Sequence, residues 1–452
     1  MSSSVPVPVP IPFSEPPWLM GLPSPYYTAS HRKWQKTCRA LVSELLCDAD
    51  EWEKQGDVPA ELYQKFASAN FLIPNLPSPL PVQWLKNLGI THLPGDLPVE
   101  EFDYMHTLIF TDEMGRSGSL GPSGAVSTGF AFGVPPILKF GSQSLQERFL
   151  PDLLTGKKRI CIAITEPGAG SDVSAIETTA RKSEDGKEWI VDGAKKWITN
   201  GLWSDYATMA VRTGEPGPGG LSLLVVPLLN HPGVTMRRIK VGGQTAAGTT
   251  FIELDSVHVP IDNIIGTLGS GMKYIMQNFN HERLSISISV NRCARTALSA
   301  AFEYVMKREA FGKKLMDQPV VRHRLAKCGA ELESHWAWIE GYTWMMTQLS
   351  EEEANRELGG LTALAKAKAG MVLESCASTA VLLFGGNGYT KSGMGEVVER
   401  IFREIPGARI PGGSEDVMLD LSIRQLVKNF LSKVKNESEN SGLERPRGDS
   451  KL

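Results

Sequence analysis

The chain has 452 residues, of which 42% are hydrophobic and 21% are charged, and its formal net charge is −3. A chain of this length can bury large cores and is expected to form two or three domains. The charge is close to neutral and no long block of Lys and Arg occurs, so we expect no binding to nucleic acid.

The chain begins with a stretch in which Pro alternates with Val and Ile, MSSSVPVPVPIPF. This pattern predicts an extended, polyproline-like arm, which we place at residues 1–26. The stretch lacks the basic flank and continuous apolar run of a secretory signal, and the Arg of a transit peptide. Along the whole chain we find no apolar run of the ~18 residues that a membrane-spanning helix needs, so we expect no membrane span.

The six cysteines are scattered and form no CxxC pair. They are interpreted as reduced core residues, with neither a disulfide framework nor a metal site.

Helical and strand patterns divide the rest of the chain into three parts. Residues 27–158 are mostly helical, with Trp34, Cys38, Leu41 and Leu45 at helical spacing. Residues 159–265 hold short runs rich in Val, Ile, Thr and Trp between Gly, Pro and Asp turns, which predicts a β barrel or sandwich. Residues 266–434 return to long helical periods, and 435–452 form a polar tail. The sequence therefore predicts an α+β multi-domain protein in the order helices, β domain, helical bundle.

Two strings in the β domain are candidates for ligand contact. ITEPGAGSDVS follows a predicted strand, and its Gly168 and Gly170 would let backbone N–H groups approach a ligand, with Ser171 adding a hydroxyl. KKWITNG adds the indole of Trp197 and the hydroxyl of Thr199. A plain Gly turn and a core Trp are the structural alternatives. Together the two strings suit a flat ring with polar edges.

The chain finishes with Ser450-Lys451-Leu452, a peroxisomal targeting tripeptide on a charged tail. We therefore expect a peroxisomal protein that binds the import receptor through this tripeptide, with a mitochondrial or cytoplasmic location as the alternative.

Five strings in one order resemble the flavin-dependent acyl-CoA dehydrogenases: ITEPGAGSDVS, KKWITNG, REAFGKKL, LFGGNGYT and GGSEDVM. The resemblance covers roughly residues 27–434. It implies an α-helical N-terminal domain, a central β barrel and a C-terminal four-helix bundle, with FAD as cofactor and a homotetramer or homodimer as the assembly.

The resemblance also implies roles for individual residues. On one side of the FAD it places Ile162, Ile164, Thr165, Gly170, Ser171, Trp197, Ile198, Thr199 and Ser414. Across a subunit interface it places Arg308, Phe311, Gln318, Gly385 and Gly386. Acyl-CoA contacts are implied for Ser171, Asn280, Arg283 and Arg424. Many members carry a Gln one residue after Gln318 and another in place of Leu382, so those dinucleotide contacts differ in this chain.

The catalytic base is not where many members of the family carry it. A Glu is common two residues before the position of Ser414, but this chain has Gly412 there. Between Lys273 and Arg292 the only charged side chains are Glu282 and Arg283, and the helical face of Glu282 is otherwise apolar or neutral. Burial on that face would raise the pKa of the carboxyl toward the range of a general base. The isovaleryl and long-chain types of the family use a Glu at this helix position, so we predict Glu282 as the base.

The predicted reaction is α,β-dehydrogenation of an acyl-CoA, in which Glu282 takes the Cα proton and flavin N5 the Cβ hydride. The electron acceptor is a flavoprotein or oxygen. The alternatives are an acyl-CoA oxidase, a flavin monooxygenase on the same fold and a flavin-binding protein without turnover.

Overall fold

The computed structural model describes residues 10–277 and 279–441. The first nine residues of the predicted arm and the terminal tripeptide lie outside this range.

The N-terminal domain is built from seven helices and one short hairpin around an aromatic core. The helices are α1 (Ala29–Leu45), α2 (Ala49–Gln55), α3 (Leu62–Ser68), α4 (Val82–Asn87), α5 (Tyr104–Met114), α6 (Leu120–Phe140) and α7 (Gln143–Leu154), and the hairpin pairs β1 (His92–Leu93) with β2 (Leu97–Pro98). The helical pattern read from α1 is confirmed at Trp34 and Cys38, which are both buried. The side chain of Thr28 accepts a hydrogen bond from the His31 amide and begins the helix.

Residues 13–27 are packed against the rest of the protein. Arg292 donates to the Ser14 carbonyl at 2.9 Å, and Arg295 donates to the Glu15 carbonyl at 3.0 Å. Trp18 is buried and stacks on Tyr27 with ring centroids 3.9 Å apart. Because two buried arginines bind its carbonyl groups, this part of the predicted arm is a docked segment.

The central domain contains eight strands. They are β3 (Ile160–Ala163), β4 (Thr179–Lys182), β5 (Glu188–Ile198), β6 (Tyr206–Arg212), β7 (Leu221–Pro227), β8 (Val234–Arg238), β9 (Thr250–Pro260) and β10 (Ile264–Ile265). The strand order is β10-β7-β6-β4-β5-β9-β8, and β3 pairs with β6. The two halves of the sheet join only at the pair Thr179 and Arg212, and their inner side chains share one core.

The central sheet is not the closed barrel that the resemblance implies. Within the described residues the edge strands β8 and β10 do not pair with each other. β10 has only two residues, too few to close the sheet. The remaining architecture, helical domains on both sides of a β domain, agrees with the prediction.

The C-terminal domain is a bundle of four long helices with shorter elements between them. In chain order its elements are α8 (Gly271–Gln277), α9 (Phe279–Lys307), β11 (Glu309–Ala310), β12 (Lys313–Lys314), α10 (Pro319–Gln348), α11 (Glu351–Glu357), α12 (Gly359–Phe384), α13 (Glu396–Arg403), α14 (Ile405–Arg409) and α15 (Glu415–Ser441). The long helices are α9, α10, α12 and α15, and α12 packs against the other three. The predicted four-helix bundle is therefore confirmed.

One segment, Gly359–Tyr389, is long and apolar enough to cross a membrane by length and composition, which we did not expect from the sequence. Half of its most apolar window is buried inside the protein. The apolar character of α12 follows from its central place in the bundle, because side chains on several of its faces meet a neighbouring helix.

Candidate functional site

A bulge in β5 presents Trp197 to solvent. The register between β5 and β9 shifts between Lys195 and Ile198, and Trp197 lies in this bulge with φ +66° and 51% of its surface exposed. A large exposed aromatic residue in a left-handed conformation is energetically unfavourable, and such strained residues cluster at functional sites. Ile198 has the opposite environment, because its side chain is 3% exposed in the core of the sheet and does not share the surface of Trp197.

The segment after β3 is held against this bulge by backbone and buried charge. The amide of Lys196 donates to the Thr165 carbonyl at 2.9 Å. Lys195, which is fully buried, donates to the Ile164 carbonyl at 3.1 Å and to Glu166 at 2.7 Å. The Glu166 carboxylate also accepts from the amide of Thr178 at 3.0 Å. These contacts bring Ile164 and Thr165 beside Trp197.

The next glycines along the chain leave open space in front of the backbone. A Cβ atom on Gly168 or Gly170 would meet no other atom within 4 Å, and neither residue has a positive φ. Glycine is therefore not required there by the fold, whereas a ligand lying on the backbone would require it. Ser171, at the end of the segment, is exposed. Ile162 on β3 and Thr199 after Trp197 are half-buried. The open backbone and the exposed indole fit a flat cofactor ring.

A second group of predicted cofactor residues lies at the end of the C-terminal bundle where α9 and α12 finish. Arg308 follows the end of α9 and is exposed, as are Gly385 and Gly386 after α12. Phe311, in the turn between β11 and β12, has φ +55° and is 94% exposed. The two helix ends are joined by Tyr304 stacking on Phe384, with ring centroids 4.2 Å apart. Gln318 is half-buried at the N-cap of α10.

The predicted base lies in the first turn of α9. Glu282 is partly buried, and within the described residues no group forms a hydrogen bond or ion pair with its carboxylate. Burial raises the pKa of this carboxyl to about 7, against weaker lowering by the charges of Arg283 and Lys366. The neighbouring His281 donates to the Asn75 carbonyl at 3.2 Å, and burial lowers its pKa to about 4. A carboxylate that titrates near neutral pH can take a proton from a weak acid.

Gly412 and Glu282 face the same point in space. A Cβ atom at Gly412 would lie 3.8 Å from Glu282 Oε1, so the loop position and the helix position address one site. The same Cβ would lie 2.5 Å from Ile286 Cδ1, and Gly412 has φ +69°. A glutamate at Gly412 would therefore be strained and would overlap Ile286, which is one helical turn after Glu282. Ser414 is half-buried just before α15.

The predicted acyl-CoA contacts have different environments. Arg283 is 5% exposed, its Nε has no hydrogen-bond partner among the described residues, and burial lowers its pKa to about 10. Arg424 is exposed and forms a surface pair with Asp420 at 2.7 Å. Asn280 uses both donors of its amide within the protein, on the Ala354 carbonyl and Asn355. Because of those bonds its position supports a structural link between α9 and α11 and not a direct ligand contact.

One cluster in the N-terminal domain has the composition of a metal site, although we predicted none. His31, Asp103 and His106 place one ligand atom each within 4.8 Å of one another. Both histidines are the third residue of a helix and complete its capping box, and the Asp103 carboxylate binds both rings. Capping of α1 and α5 accounts for this cluster.

Sequence reasoning missed the buried charges that hold the site. The Glu166–Lys195 pair is one example, and Lys366 beside Gly412 is the other. Lysines in strand and helix patterns are usually solvated, so their residue type did not indicate burial. The neighbouring apolar residues were the available signal: Lys366 stands in the run LTALAKAKAGMVL.

The chain matches known proteins along most of its length. The family models for the N-terminal, middle and C-terminal domains of acyl-CoA dehydrogenases match residues 82–157, 161–257 and 269–427. Acyl-CoA dehydrogenase apdG of Emericella nidulans is 67% identical over 94% of this chain and 97% of its own. The mitochondrial long-chain specific acyl-CoA dehydrogenase of Mus musculus is 29% identical over 89% of this chain and 88% of its own. A crystal structure of a probable acyl CoA dehydrogenase from Mycobacterium abscessus has a TM-score of 0.78 at 30% identity, covering 89% of this chain and 100% of that one. The chain therefore belongs to the acyl-CoA dehydrogenase family and is an FAD-dependent oxidoreductase.

Proposed function

We propose that the protein oxidises an acyl-CoA to the trans-2-enoyl-CoA with Glu282 as the base. One observation carries this assignment: the Glu282 carboxylate has no hydrogen-bond partner among the described residues, has its pKa raised to about 7 and faces Gly412. A loop glutamate, as in many members of the family, and a helix glutamate would place their carboxylates at the same point. Different members can therefore carry the base on either element while the substrate binds in the same place. The chain's matches include long-chain specific members, one of the types in which a helix glutamate is expected.

In this mechanism Glu282 takes a proton from Cα of the bound thioester. FAD held beside Trp197 would supply the acceptor for the hydride that leaves Cβ. Ile286 and Gly412 keep the carboxylate in an apolar, narrow setting, which disfavours its charge and makes it a stronger proton acceptor. Arg283 presents an unpaired, buried Nε beside the base and is the proposed contact for the acyl-CoA.

The FAD is proposed to lie between two subunits. Glu282 and Arg308 are separated by α9, and at 1.5 Å per residue the separation is roughly 40 Å. The flavin ring must lie close to Glu282, because one substrate gives its proton to Glu282 and its hydride to the flavin. A single dinucleotide placed there is too short to reach Arg308 of the same chain. We therefore infer a homodimer or homotetramer in which Arg308, Phe311, Gln318, Gly385 and Gly386 of one protomer serve the cofactor bound beside Trp197 of its partner.

Flavin reduction without oxygen tests the assignment of the base. Glu282→Gln keeps the shape of the side chain and removes its proton acceptor, so reduction by a panel of acyl-CoAs is expected to fall by on the order of 10²–10⁴. FAD content should stay at the parent level. Glu303→Gln is the matched control, since Glu303 lies on the same helix with its charge on the surface. If Glu282→Gln reduces flavin as fast as the parent, another group takes the proton.

The same assay separates the proposed dehydrogenase from its rivals. Bleaching of the flavin by acyl-CoA, followed by slow recovery in air, supports a flavoprotein acceptor. Fast recovery in air with release of hydrogen peroxide identifies an oxidase. Failure of every thioester to bleach the flavin would favour a monooxygenase or a binding protein.

We further propose a peroxisomal location and binding to the import receptor through Ser450-Lys451-Leu452. The last described helix, α15, is exposed along residues 430–437, which suits a tail that another protein must reach. Removal of the three residues should leave activity unchanged and move a tagged protein to the cytosol. Unchanged punctate fluorescence would show that the tripeptide is not the signal.

A further inference from the structure

The loop that carries Gly412 is tied to the bundle by one buried lysine. Lys366 on α12 is 1% exposed, and its ammonium group donates to the Arg409 carbonyl at 3.1 Å and to the Gly413 carbonyl at 2.5 Å. Arg409 is the last residue of α14, so its carbonyl has no partner within the helix. A cation at this helix end is also favoured by the helix dipole. Lys366 therefore holds both ends of the turn formed by Ile410–Gly412.

The same lysine lies across Gly412 from the base. Lys366 Cε is 3.7 Å from the position of a Cβ at Gly412, and Glu282 Oε1 is 3.8 Å from that position. No carboxylate of the described residues lies within ion-pair distance of Lys366. A buried ammonium group that has only carbonyl partners is costly for the fold. The positive charge of Lys366 favours the ionised form of Glu282, the acid that it faces across Gly412.

A second residue of α12 shapes the same loop. Gly370 is one turn after Lys366, and a Cβ there would lie 2.7 Å from Arg409 Cγ. Arg409 in turn binds Glu415 through two hydrogen bonds of 2.8 and 2.6 Å, across the loop. One face of α12 thus presents a small residue and a lysine to the loop, so the loop position is set by α12.

We propose that Lys366 is a positioning residue for the dehydrogenation. It fixes residues 409–413 so that Gly412 leaves room for the Glu282 carboxylate, and its charge sets the pH range over which Glu282 is ionised. This inference rests on the proposed function, in which Glu282 is the base.

The other charges around the pair determine what removal of the lysine does. Arg283 beside Glu282 and Glu415 beside Lys366 remain in place in either case. The buried His281 and His335 have their pKa lowered to about 4 by burial, so both are neutral throughout the working range. Burial has already raised the pKa of Glu282 to about 7. Burial lowers the pKa of Lys366 to about 8, so Lys366 is protonated on the acid side of the profile and there opposes the rise in the pKa of Glu282. Loss of the lysine must therefore raise the pKa of Glu282 further and move the acid side of the rate profile to higher pH.

The test compares holoenzymes of Lys366→Met, Lys366→Arg and the control Lys368→Met. Lys368 is on the same helix, but it faces α10, where it pairs with Glu331. Anaerobic flavin reduction by an acyl-CoA is followed from about pH 5 to about pH 9. In Lys366→Met the acid limb should shift upward by up to about 1 unit, because the variant lacks a positive charge that favours the ionised form of Glu282. Lys366→Arg keeps the charge and should keep the limb near that of the parent.

Hydrogen exchange gives a readout that does not depend on turnover. The backbone amides of residues 410 and 412–414 should exchange faster in Lys366→Met than in the parent and in Lys368→Met. If Lys366→Met does not fold, Lys366→Gln removes the charge while keeping a donor, and the same limb shift is expected from it. The proposal is overturned if Lys366→Met has the same acid limb as Lys368→Met, or if its loop amides exchange at the same rate as those of Lys368→Met.

Glu282→Gln distinguishes the two levels of inference. If that variant retains full flavin reduction, the proposed base is wrong, and the inference about Lys366 falls with it. If it loses reduction while Lys366→Met behaves as the parent does, only the role of Lys366 is wrong.

Discussion

At the scale of single residues, the ionised form of Glu282, which is the form that can take a proton, lowers the stability of the folded protein. Its folded-state pKa is about 7 against an ordinary value of 4.5, so the folded protein holds the proton more tightly than the unfolded chain. A group of this kind adds stability at low pH, and that stability is lost as pH rises from about 4.5 through 7. Above that range the folded protein must hold a poorly solvated charge.

This sign leads to a prediction for Glu282→Gln. At pH 8 the holoenzyme of the variant should be more stable than the parent, by on the order of 2 kcal/mol, because the ionised group is gone. Near pH 4.5 the advantage should disappear, since the parent is then protonated. Thermal or denaturant unfolding at the two pH values measures the difference.

Glu303→Gln is the control for that comparison, because it removes an exposed charge on the same helix and should change stability by less than about 1 kcal/mol. A Glu282→Gln variant that is no more stable than the parent at pH 8 would mean that the carboxylate is well solvated. In that case burial would not be the cause of its raised pKa.

At the scale of elements, hydrophobic periodicity predicts the features that depend on neighbours along one helix or strand. The helical spacing around Glu282 predicts an acid on an apolar strip, and the structure has that acid in the first turn of α9 with Ile286 one turn away. The order of helices, β domain and bundle is likewise predictable, because the hydrophobic period changes from helix to strand and back.

Other elements depend on contacts that no local pattern records. Lys366 meets the Gly413 carbonyl from a position 47 residues away in the chain. The bulge at Trp197 arises from a register shift against β9, and a period-two pattern predicts an unbroken strand there. The resemblance implied a barrel, but the sheet is not closed. Closure depends on whether the two edge strands pair, and no local sequence pattern records that. Ion pairs such as Glu166–Lys195 arise when two distant strands bring buried charges together.

At the scale of the whole molecule, the two groups of predicted cofactor residues lie in different parts of one chain. The group beside Trp197 lies in the β domain, whereas the group around Arg308 and Gly385 lies at the far end of the bundle, where α9 and α12 end. Around that far end large apolar side chains face solvent: Phe311 is 94% exposed, Tyr389 is 89% exposed and Leu382 is 65% exposed. Exposed aromatic and aliphatic residues gathered at one end of a protein are typical of a surface that another subunit covers.

Assembly and cofactor retention should therefore fail together. Leu382→Lys places a charge one turn before Gly385, at a position where many family members carry a dinucleotide-contacting Gln, and a buried lysine at an interface is costly. We expect the parent to run as a multiple of 49.4 kDa in light scattering, and the variant to have a lower mass and less bound FAD. Leu229→Lys is the control, since Leu229 is also an exposed leucine, 46% exposed, but lies in the β domain. Circular dichroism should show equal helix content in all three proteins. If Leu382→Lys loses mass but keeps its full FAD, the cofactor is held within one chain and the two groups of residues do not share it.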